Sequence, residues 1–407
     1  MRSLCLSLMF ATLAACSTGT SGSSSSDVTD DVTAVDSDAS LDGTVASDAI
    51  MASDMAADSD ATASPEISSP VEDTNTPPAL PAAELFDFTA TQPWYQCPSG
   101  SLAENTIEVV AFDKVIQQFG DENTRNVDSE VTFPEGSWAQ VGMWVELECP
   151  PSGLCDHWDR SGSIQMLLDP AEDAGLNKYV ELARHITPYK IGMCEYIDIT
   201  NLAPVLTGTR TLRSFIDTWV GPGHSSGEGW QVTVKFVFYP GEEAQPAEVI
   251  NIWGRRSITV GIPEGEQAVT EQTAPVEFEL AEGFTKVIAH LTTTGHSFGN
   301  TYNCAEFCEM RQDLHINESV FSVNPWRADC PQNPVSPQYG TWEYPRNGWC
   351  PGAISVGSSL DITSGVTSGT NTLDFDILLA NGSVYNNLSP VDLLPHELVA
   401  LKLYVFH

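Results

Sequence analysis

The chain has 407 residues and a formal net charge of −38 at pH 7, from 17 basic and 55 acidic residues. Binding to phosphate requires clustered Lys or Arg, so this charge argues against nucleic acid or an anionic membrane surface as a partner. The length exceeds what a single small core supports and predicts more than one domain.

Residues 1–16 have the pattern of a lipoprotein signal peptide. Arg2 provides the positive start, Leu4 to Leu13 form a short apolar run, and Cys16 follows two alanines. The run is too short to cross a bilayer as a helix. We therefore expect a protein anchored by a lipid on Cys16 to a bacterial outer membrane or cell surface. The alternative is an ordinary cleaved signal in which Cys16 is incidental.

Residues 17–83 are rich in Ser, Thr, Ala and Asp and contain no Lys or Arg. Such a composition cannot bury enough apolar surface to offset chain entropy, which predicts a disordered acidic linker. A flexible coil of this length reaches about 45 Å. The segment would serve as a tether.

From residue 84 the composition becomes globular and predicts two domains, residues 84–245 and 246–407, divided near the Pro- and Glu-rich stretch 240–246. Apolar residues alternate with other residues in 231–239, 276–280 and 373–379, as is typical of half-buried strands. Many such strands with Gly and Pro turns predict an all-β fold of sandwiches or barrels. Phe112–Phe119 is the one helix candidate.

The segment Cys149–Arg160 combines a short cysteine loop with charged and aromatic residues. In an exported protein Cys149 and Cys155 would form a disulfide, which fixes the adjacent backbone. Charged and aromatic side chains beside such a constraint indicate a positioned site. The alternative is a stapled surface hairpin whose Asp159 forms an ion pair with Arg160.

Two more cysteine pairs follow, and the first of them, Cys304 and Cys308, encloses Glu306. Seven segments, in collinear order, resemble the bacterial peptide-N-glycosidase F family from about residue 100 to the C-terminus. They are Phe112–Val115, Thr132–Pro134, Cys155–Arg160, Ile186–Tyr189, Thr218–Trp219, Cys304–Cys308 and Gly348–Gly352.

The resemblance implies two side-by-side jelly-roll β-sandwich domains in a monomer that needs no metal or other cofactor. It also implies hydrolysis of the amide between Asn and the first GlcNAc of N-linked glycans on glycoproteins or glycopeptides. That reaction leaves Asp in the peptide and releases a glycosylamine. Without a metal, it needs a carboxylate to deprotonate water, donors for the oxyanion and an acid for the departing nitrogen.

Three carboxylates match the family's catalytic positions. Asp159 corresponds to the principal aspartate and Glu306 to the glutamate between the two cysteines. Asp217 stands where the family has glutamate, so its side chain is one methylene shorter. Because small misplacements matter in catalysis, this change favours an alternative in which the chain only binds N-glycans. We expect Asp156, in the same motif as Asp159, to cap the turn.

Family-like positions also predict a sugar-binding cleft. Aromatic faces would stack on pyranose rings and arginines would donate to hydroxyls or carbonyls; for each tryptophan, core packing is the alternative. The candidates are Trp158, Arg160, Trp219, Ser257, His296, Arg346 and Trp349. The family tryptophan before the Gly295-His296 pair is Thr294 here.

The family-like cysteine pairs are Cys149–Cys155, Cys304–Cys308 and Cys330–Cys350. Cys97 and Cys194 are left over and are paired by elimination. A copper monooxygenase on a similar pair of sandwiches would need several His and Met ligands, and the histidine spacing offers no such set. A hydrolase of another amide is a further alternative.

Overall fold

The computed structural model describes Cys97 and residues 105–168, 178–242, 245–390 and 394–407. The predicted signal peptide, Cys16 and the predicted linker of residues 17–83 lie outside these residues. Within the described ranges, no helix is long and apolar enough to cross a membrane.

Most of the described chain forms β-strands. The strands are β1 (Ile107–Gln117), β2 (Asn126–Phe133), β3 (Trp138–Glu148), β4 (Ser161–Leu167), β5 (Tyr179–Ile186), β6 (Met193–Asp198), β7 (Gly208–Ile216), β8 (Trp230–Pro240), β9 (Glu248–Thr259), β10 (Val276–Leu280), β11 (Lys286–His296), β12 (Met310–Ile316), β13 (Ser319–Val323), β14 (Trp326–Arg327), β15 (Arg346–Asn347), β16 (Ala353–Ser355), β17 (Ser358–Asp361), β18 (Gly369–Leu379) and β19 (His396–Phe406). Short helical segments are α1 (Val269–Thr273) and 3-10 turns at Thr200–Val205, Thr301–Asn303, Cys330–Gln332 and Thr363–Gly365.

The strands build two β-sandwiches, which confirms the predicted fold class. In the first, the sheet β1-β8-β3-β6 faces the sheet β16-β5-β4-β7-β2. In the second, β10-β18-β12-β13 faces β17-β11-β19-β9. Each sandwich encloses its own apolar core, to which both of its sheets contribute, and β14 and β15 form a separate two-stranded sheet. The domain boundary at residue 245 stays a prediction, and β16, from the second half of the chain, pairs with β5 of the first sandwich.

The three alternating stretches all lie in strands, β8, β10 and β18, as predicted. The helix expected at Phe112–Phe119 was wrong, because most of this segment belongs to β1. Its pairing with β8 shifts register twice, and Lys114, within the second shift, has a φ of 51°. Such a bulge interrupts the two-residue alternation and made a strand resemble a short helix.

The four predicted disulfides, Cys97–Cys194, Cys149–Cys155, Cys304–Cys308 and Cys330–Cys350, are all present. The first links residues 97 positions apart in sequence. The second and third close loops of six and four positions, and these loops stand beside Asp159 and around Glu306.

Candidate active site

Three predicted site segments meet at one end of the sheet β5-β4-β7. Ser161, at the start of β4, is the cross-strand partner of Ile186 at the end of β5, and Gly162 is that of Ile216 at the end of β7. Residues 157–160, 187–189 and 217–219 continue from these ends. Antiparallel register alone therefore brings together segments separated by up to about 60 residues in the chain.

Asp156 holds the loop after the Cys149–Cys155 disulfide. It is fully buried, and its carboxylate accepts hydrogen bonds from the Trp158 N–H at 3.0 Å and from Arg160 Nε at 2.9 Å. The hydroxyl of Thr218 donates a further bond at 2.7 Å. Asp156 thus fixes the turn, as expected. The alternative in which Arg160 pairs with Asp159 is wrong, because Arg160 Nε is bound to Asp156.

Asp159 is held by a tyrosine and an arginine. The Tyr189 hydroxyl donates to Asp159 Oδ2 at 2.6 Å, and Arg346 Nη2 lies 3.7 Å from the same oxygen. Burial raises the pKa of Asp159, while the Arg346 charge and the Tyr189 hydrogen bond act in the opposite direction. The carboxylate is thus partly desolvated, as a catalytic base requires.

Glu306 lies within the loop closed by Cys304–Cys308, and only 12% of its side chain is exposed. Arg346 Nε donates to Glu306 Oε1 at 3.2 Å. Burial, followed by the nearby Asp159 charge, raises the pKa of Glu306 to about 7. The group is therefore present in both protonation states near neutral pH.

Arg346 joins the two carboxylates and has no exposed surface. Nε binds Glu306, Nη1 donates to the carbonyls of Thr341 and Tyr344, and Nη2 donates to the Thr341 and Tyr189 hydroxyls. All five N–H groups of the guanidinium are thereby used. In this structure the guanidinium of Arg346 is bound by the protein itself and joins the two predicted catalytic carboxylates, so its predicted contact with substrate stays a prediction.

Trp349 packs against the buried side of Arg346. Only 2% of it is exposed, and its indole N–H donates to the Gly295 carbonyl at 2.7 Å. Its ring packs on the Arg346 guanidinium at 4.7 Å and on the His296 ring at 5.4 Å. The expectation that Trp349 stacks on a sugar is therefore corrected, because no face of the ring is open.

His296 is stacked between Trp349 and His396, with ring centroids 5.4 Å from each. Its Nε2 lies 2.9 Å from the Thr294 hydroxyl. Burial and the neighbouring charges hold the pKa of His296 well below its usual range. The ring is therefore neutral at physiological pH, and it borders the carboxylate site beside Trp349.

Trp158 and Trp219 differ from Trp349 in exposure. Trp158 is 46% exposed next to Asp159 and presents an open aromatic face. Trp219 is partly buried, with the Arg125 guanidinium 4.3 Å from its ring and Phe119 packed at 5.0 Å. Trp158 is consequently the better stacking surface for a sugar.

Asp217 and Ser257 make their contacts with other parts of the protein. Asp217 Oδ1 forms an ion pair with Arg125 Nη1 at 3.3 Å, and 42% of its side chain is exposed. Ser257 is exposed on β9, opposite Leu398. Among the described contacts, neither side chain touches Asp159 or Glu306.

Two residues that complete the site were not among the predicted site residues. Tyr189 lies in the family-like segment Ile186–Tyr189, so the motif contained the signal that could have identified it. Thr341 binds Arg346 through its carbonyl and its hydroxyl, and it lies outside all seven motifs. Nothing in the sequence distinguishes this threonine from others.

Among the described residues, no group of three or more His, Cys, Asp or Glu side chains is arranged to hold a metal ion. The arrangement does supply two of the groups that amide hydrolysis requires: neighbouring, partly desolvated carboxylates, fixed here by one buried cation. Such a pair can divide the roles of base and acid.

Comparison with known proteins defines the class. The family model "Peptide-N-glycosidase F, C terminal" matches residues 265–388. PNGase F, described as a glycosylasparaginase from Flavobacterium meningosepticum, has a TM-score of 0.61 at 22% identity, over 74% of this chain and 96% of that chain. PNGF-II has a TM-score of 0.59 at 17% identity, over 74% and 65%. These structures share the fold of two β-sandwiches.

The sequence comparison is more specific. Peptide-N(4)-(N-acetyl-beta-D-glucosaminyl)asparagine amidase F of Elizabethkingia miricola is 26% identical over 282 residues, which cover 66% of this chain and 76% of that protein. Together with the family model over residues 265–388 and the shared fold, this match shows that the chain is similar to the peptide-N-glycosidase F family.

Proposed function

We propose that the protein hydrolyses the amide bond between Asn and the first GlcNAc of N-linked glycans. The observation that carries the proposal is the shared Arg346, which contacts Glu306 at 3.2 Å and lies 3.7 Å from Asp159. A buried cation between two carboxylates offsets their mutual repulsion, whereas burial and the Asp159 charge raise the pKa of Glu306 to about 7. The family relationship supports glycoproteins or glycopeptides as the substrates.

In this mechanism Asp159 accepts a proton from water, whose oxygen attacks the side-chain carbonyl carbon of the glycosylated Asn. The C–N bond then breaks, and the departing nitrogen takes its proton from Glu306, whose pKa is about 7. The products are Asp in the peptide and a 1-amino sugar. Tyr189 and Arg346 stabilise the ionised form of Asp159, which is the form that accepts the proton.

Arg160 and Trp158 are the side chains best placed to meet the substrate. Asp156 binds the Nε of Arg160, and in this proposal the terminal nitrogens of Arg160 donate to the oxyanion or to a sugar hydroxyl. Trp158 is exposed beside Asp159 and offers a flat apolar surface to a pyranose ring. We assign substrate contacts to these two residues.

The test is incubation with an N-glycopeptide in heavy-oxygen water, followed by mass spectrometry of the peptide. Hydrolysis of the amide converts Asn to Asp and places one heavy oxygen in the new carboxylate. A peptide that retains one GlcNAc on Asn would show glycosidic cleavage instead and would reject the mechanism. Asp159→Asn and Glu306→Gln serve as controls of strongly reduced activity.

A second candidate function is binding of N-glycans without hydrolysis. Asp217 favours it, because its side chain is one methylene shorter than the family's glutamate and makes no described contact with Asp159 or Glu306. An unchanged glycopeptide that binds saturably would support this candidate.

We also propose that the protein is a monomer tethered through Cys16 to an outer membrane or cell surface. The four disulfides support an oxidising location for the folded part. Metabolic labelling with a fatty acid should mark the mature protein, and Cys16→Ser should abolish the label. A mature protein that begins at another residue and carries no label would contradict the anchor.

A further inference from the structure

A buried carboxylate lies beneath the site. Glu397, on β19, has no exposed surface, and it accepts three hydrogen bonds from uncharged donors. These come from the Thr293 hydroxyl at 2.6 Å, from Gln312 Nε2 at 2.6 Å and from Asn347 Nδ2 at 2.7 Å. Burial raises the pKa of Glu397 to about 7, and the three donors offset part of the cost of its desolvation.

Asn347 connects this carboxylate to the site. Its side chain binds Glu397, and its backbone N–H donates to the Glu306 carbonyl at 2.9 Å. It also follows Arg346 directly in β15, so the same residue fixes the strand that presents the guanidinium. One residue, Asn347, therefore links Glu397 to both Glu306 and Arg346.

Gly295 provides the space for this link. It is the cross-strand partner of Glu397 in the pairing of β11 with β19. A Cβ at Gly295 would lie 2.3 Å from the Ala305 carbonyl oxygen and 2.9 Å from Asn347 Nδ2. The loop that contains Glu306 and the side chain of Asn347 consequently both pack against the backbone of β11 at Gly295, beside Glu397 on the neighbouring strand.

We propose that Glu397 is a positioning residue. This proposal rests on the amide hydrolysis inferred above. It holds Asn347 and, through that residue, sets the distance between Arg346 and Glu306. It touches neither substrate nor reacting atoms. Glu397→Gln keeps the shape but replaces one acceptor oxygen with an N–H donor, which must then face one of the three existing donors.

The kinetic test compares Glu397→Gln with a matched control, Asp313→Asn. Asp313 is 3% exposed in the same sandwich and binds Arg311 at 2.7 Å, next to Gln312 in sequence. We expect Glu397→Gln to lower kcat by about tenfold to a hundredfold, since small displacements of catalytic groups have effects of this size. KM should be unchanged, because substrate contacts remain. Asp313→Asn should keep the wild-type kcat.

Hydrogen exchange provides a readout that does not depend on turnover. The backbone N–H of Asn347, which donates to the Glu306 carbonyl, should exchange faster in Glu397→Gln than in the wild type or in Asp313→Asn. Asn347→Ala cuts the same link from the other end and remains informative if Glu397→Gln does not fold. Combined in one chain, the two changes should lower kcat by less than the product of their separate effects.

The possible results separate the two proposals. A wild type that leaves the glycopeptide intact refutes the amidase, whereas faster exchange at Asn347 in Glu397→Gln would still support the structural link. A hydrolytic wild type together with a fully active Glu397→Gln overturns the positioning role and leaves the amidase standing. A lower kcat with unchanged exchange at Asn347 also overturns the positioning role, because Glu397 would then affect catalysis without acting through Asn347.

Discussion

The hydroxyl of Tyr189 donates a hydrogen bond to Asp159 Oδ2 across 2.6 Å. The two residues flank neighbouring strands, because β4 begins just after Asp159 and β5 ends just before Tyr189. Burial raises the pKa of Asp159, and this bond opposes the increase. Tyr189 therefore helps to keep the proposed base ionised.

Tyr189→Phe tests this relationship, since it keeps the ring and removes the donor. Loss of the bond should raise the pKa of Asp159, so the acidic limb of the kcat/KM profile should move to higher pH. At neutral pH, kcat/KM should fall by about tenfold, as expected for a hydrogen bond to a charged group. Tyr404→Phe, in the buried part of β19, is the control. An acidic limb that stays in place would contradict the role.

The protonation of Glu306 should limit activity at high pH. The acid form donates the proton to the departing nitrogen, and burial raises its pKa to about 7. As pH rises through that value the group loses its proton, so kcat should decline on the alkaline side. Glu306→Gln should be severely impaired and should lack this limb. A wild-type profile that stays flat well above neutral pH would show that Glu306 is not the acid.

Asp159→Asn should reduce kcat by about 10²–10⁴-fold, the range typical of a lost general base. The side chain keeps its shape, so binding of an uncleaved glycopeptide should be largely retained. Calorimetry of that binding, measured beside the kinetics, separates loss of chemistry from loss of the fold. A fully active Asp159→Asn would overturn the assignment of the base.

The sequence was informative about strands and about local loops. Alternation over 231–239 identified β8, because that strand has one face in the first core. The two short cysteine loops marked the segments around Asp159 and Glu306, since a motif of a few adjacent residues can be read directly. The segment around Lys114 was misread because a bulge with a left-handed residue has no alternation.

The contacts that complete the site could not be predicted in this way. Arg346 lies 40 positions from Glu306 in sequence and 157 from Tyr189. Their meeting depends on where β15 rests against β11, which no local pattern encodes. The same holds for Trp349. Its family-like segment predicted a ring that stacks on a sugar, but in the structure the ring packs against the Arg346 guanidinium.

The disulfides should differ in what they stabilise. Removing Cys97–Cys194 by a double alanine substitution opens a loop of 97 positions and should cost about 4–5 kcal/mol of unfolding free energy. Removing Cys304–Cys308 should cost about 2 kcal/mol but should reduce kcat more, because Glu306 lies inside that loop. Denaturant unfolding and kinetics on both variants check this. Equal kcat in the two variants would contradict the positioning role of the short loop.

Asp217 decides between the amidase and a binding protein more directly than any other residue. Its ion pair with Arg125 has a separation of 3.3 Å, and 42% of the Asp217 side chain is exposed. Exposed pairs of this kind contribute about 0–1 kcal/mol, so Arg125 does not prevent Asp217 from turning toward a substrate. The missing methylene therefore limits its reach more than the ion pair does.

We expect Asp217→Asn to reduce kcat/KM moderately, by about tenfold, and Asp217→Glu to equal or exceed the wild type. The matched control is Asp128→Asn, because Asp128 is also an exposed carboxylate paired with an arginine, Arg213, on the same sheet. The measurement is kcat/KM on one N-glycopeptide for all four proteins. If Asp217→Asn matches Asp128→Asn, Asp217 takes no part in the reaction, and Asp159 and Glu306 act without a third carboxylate. If Asp217→Glu hydrolyses a glycopeptide that the wild type only binds, the shortened side chain is what separates this protein from an amidase.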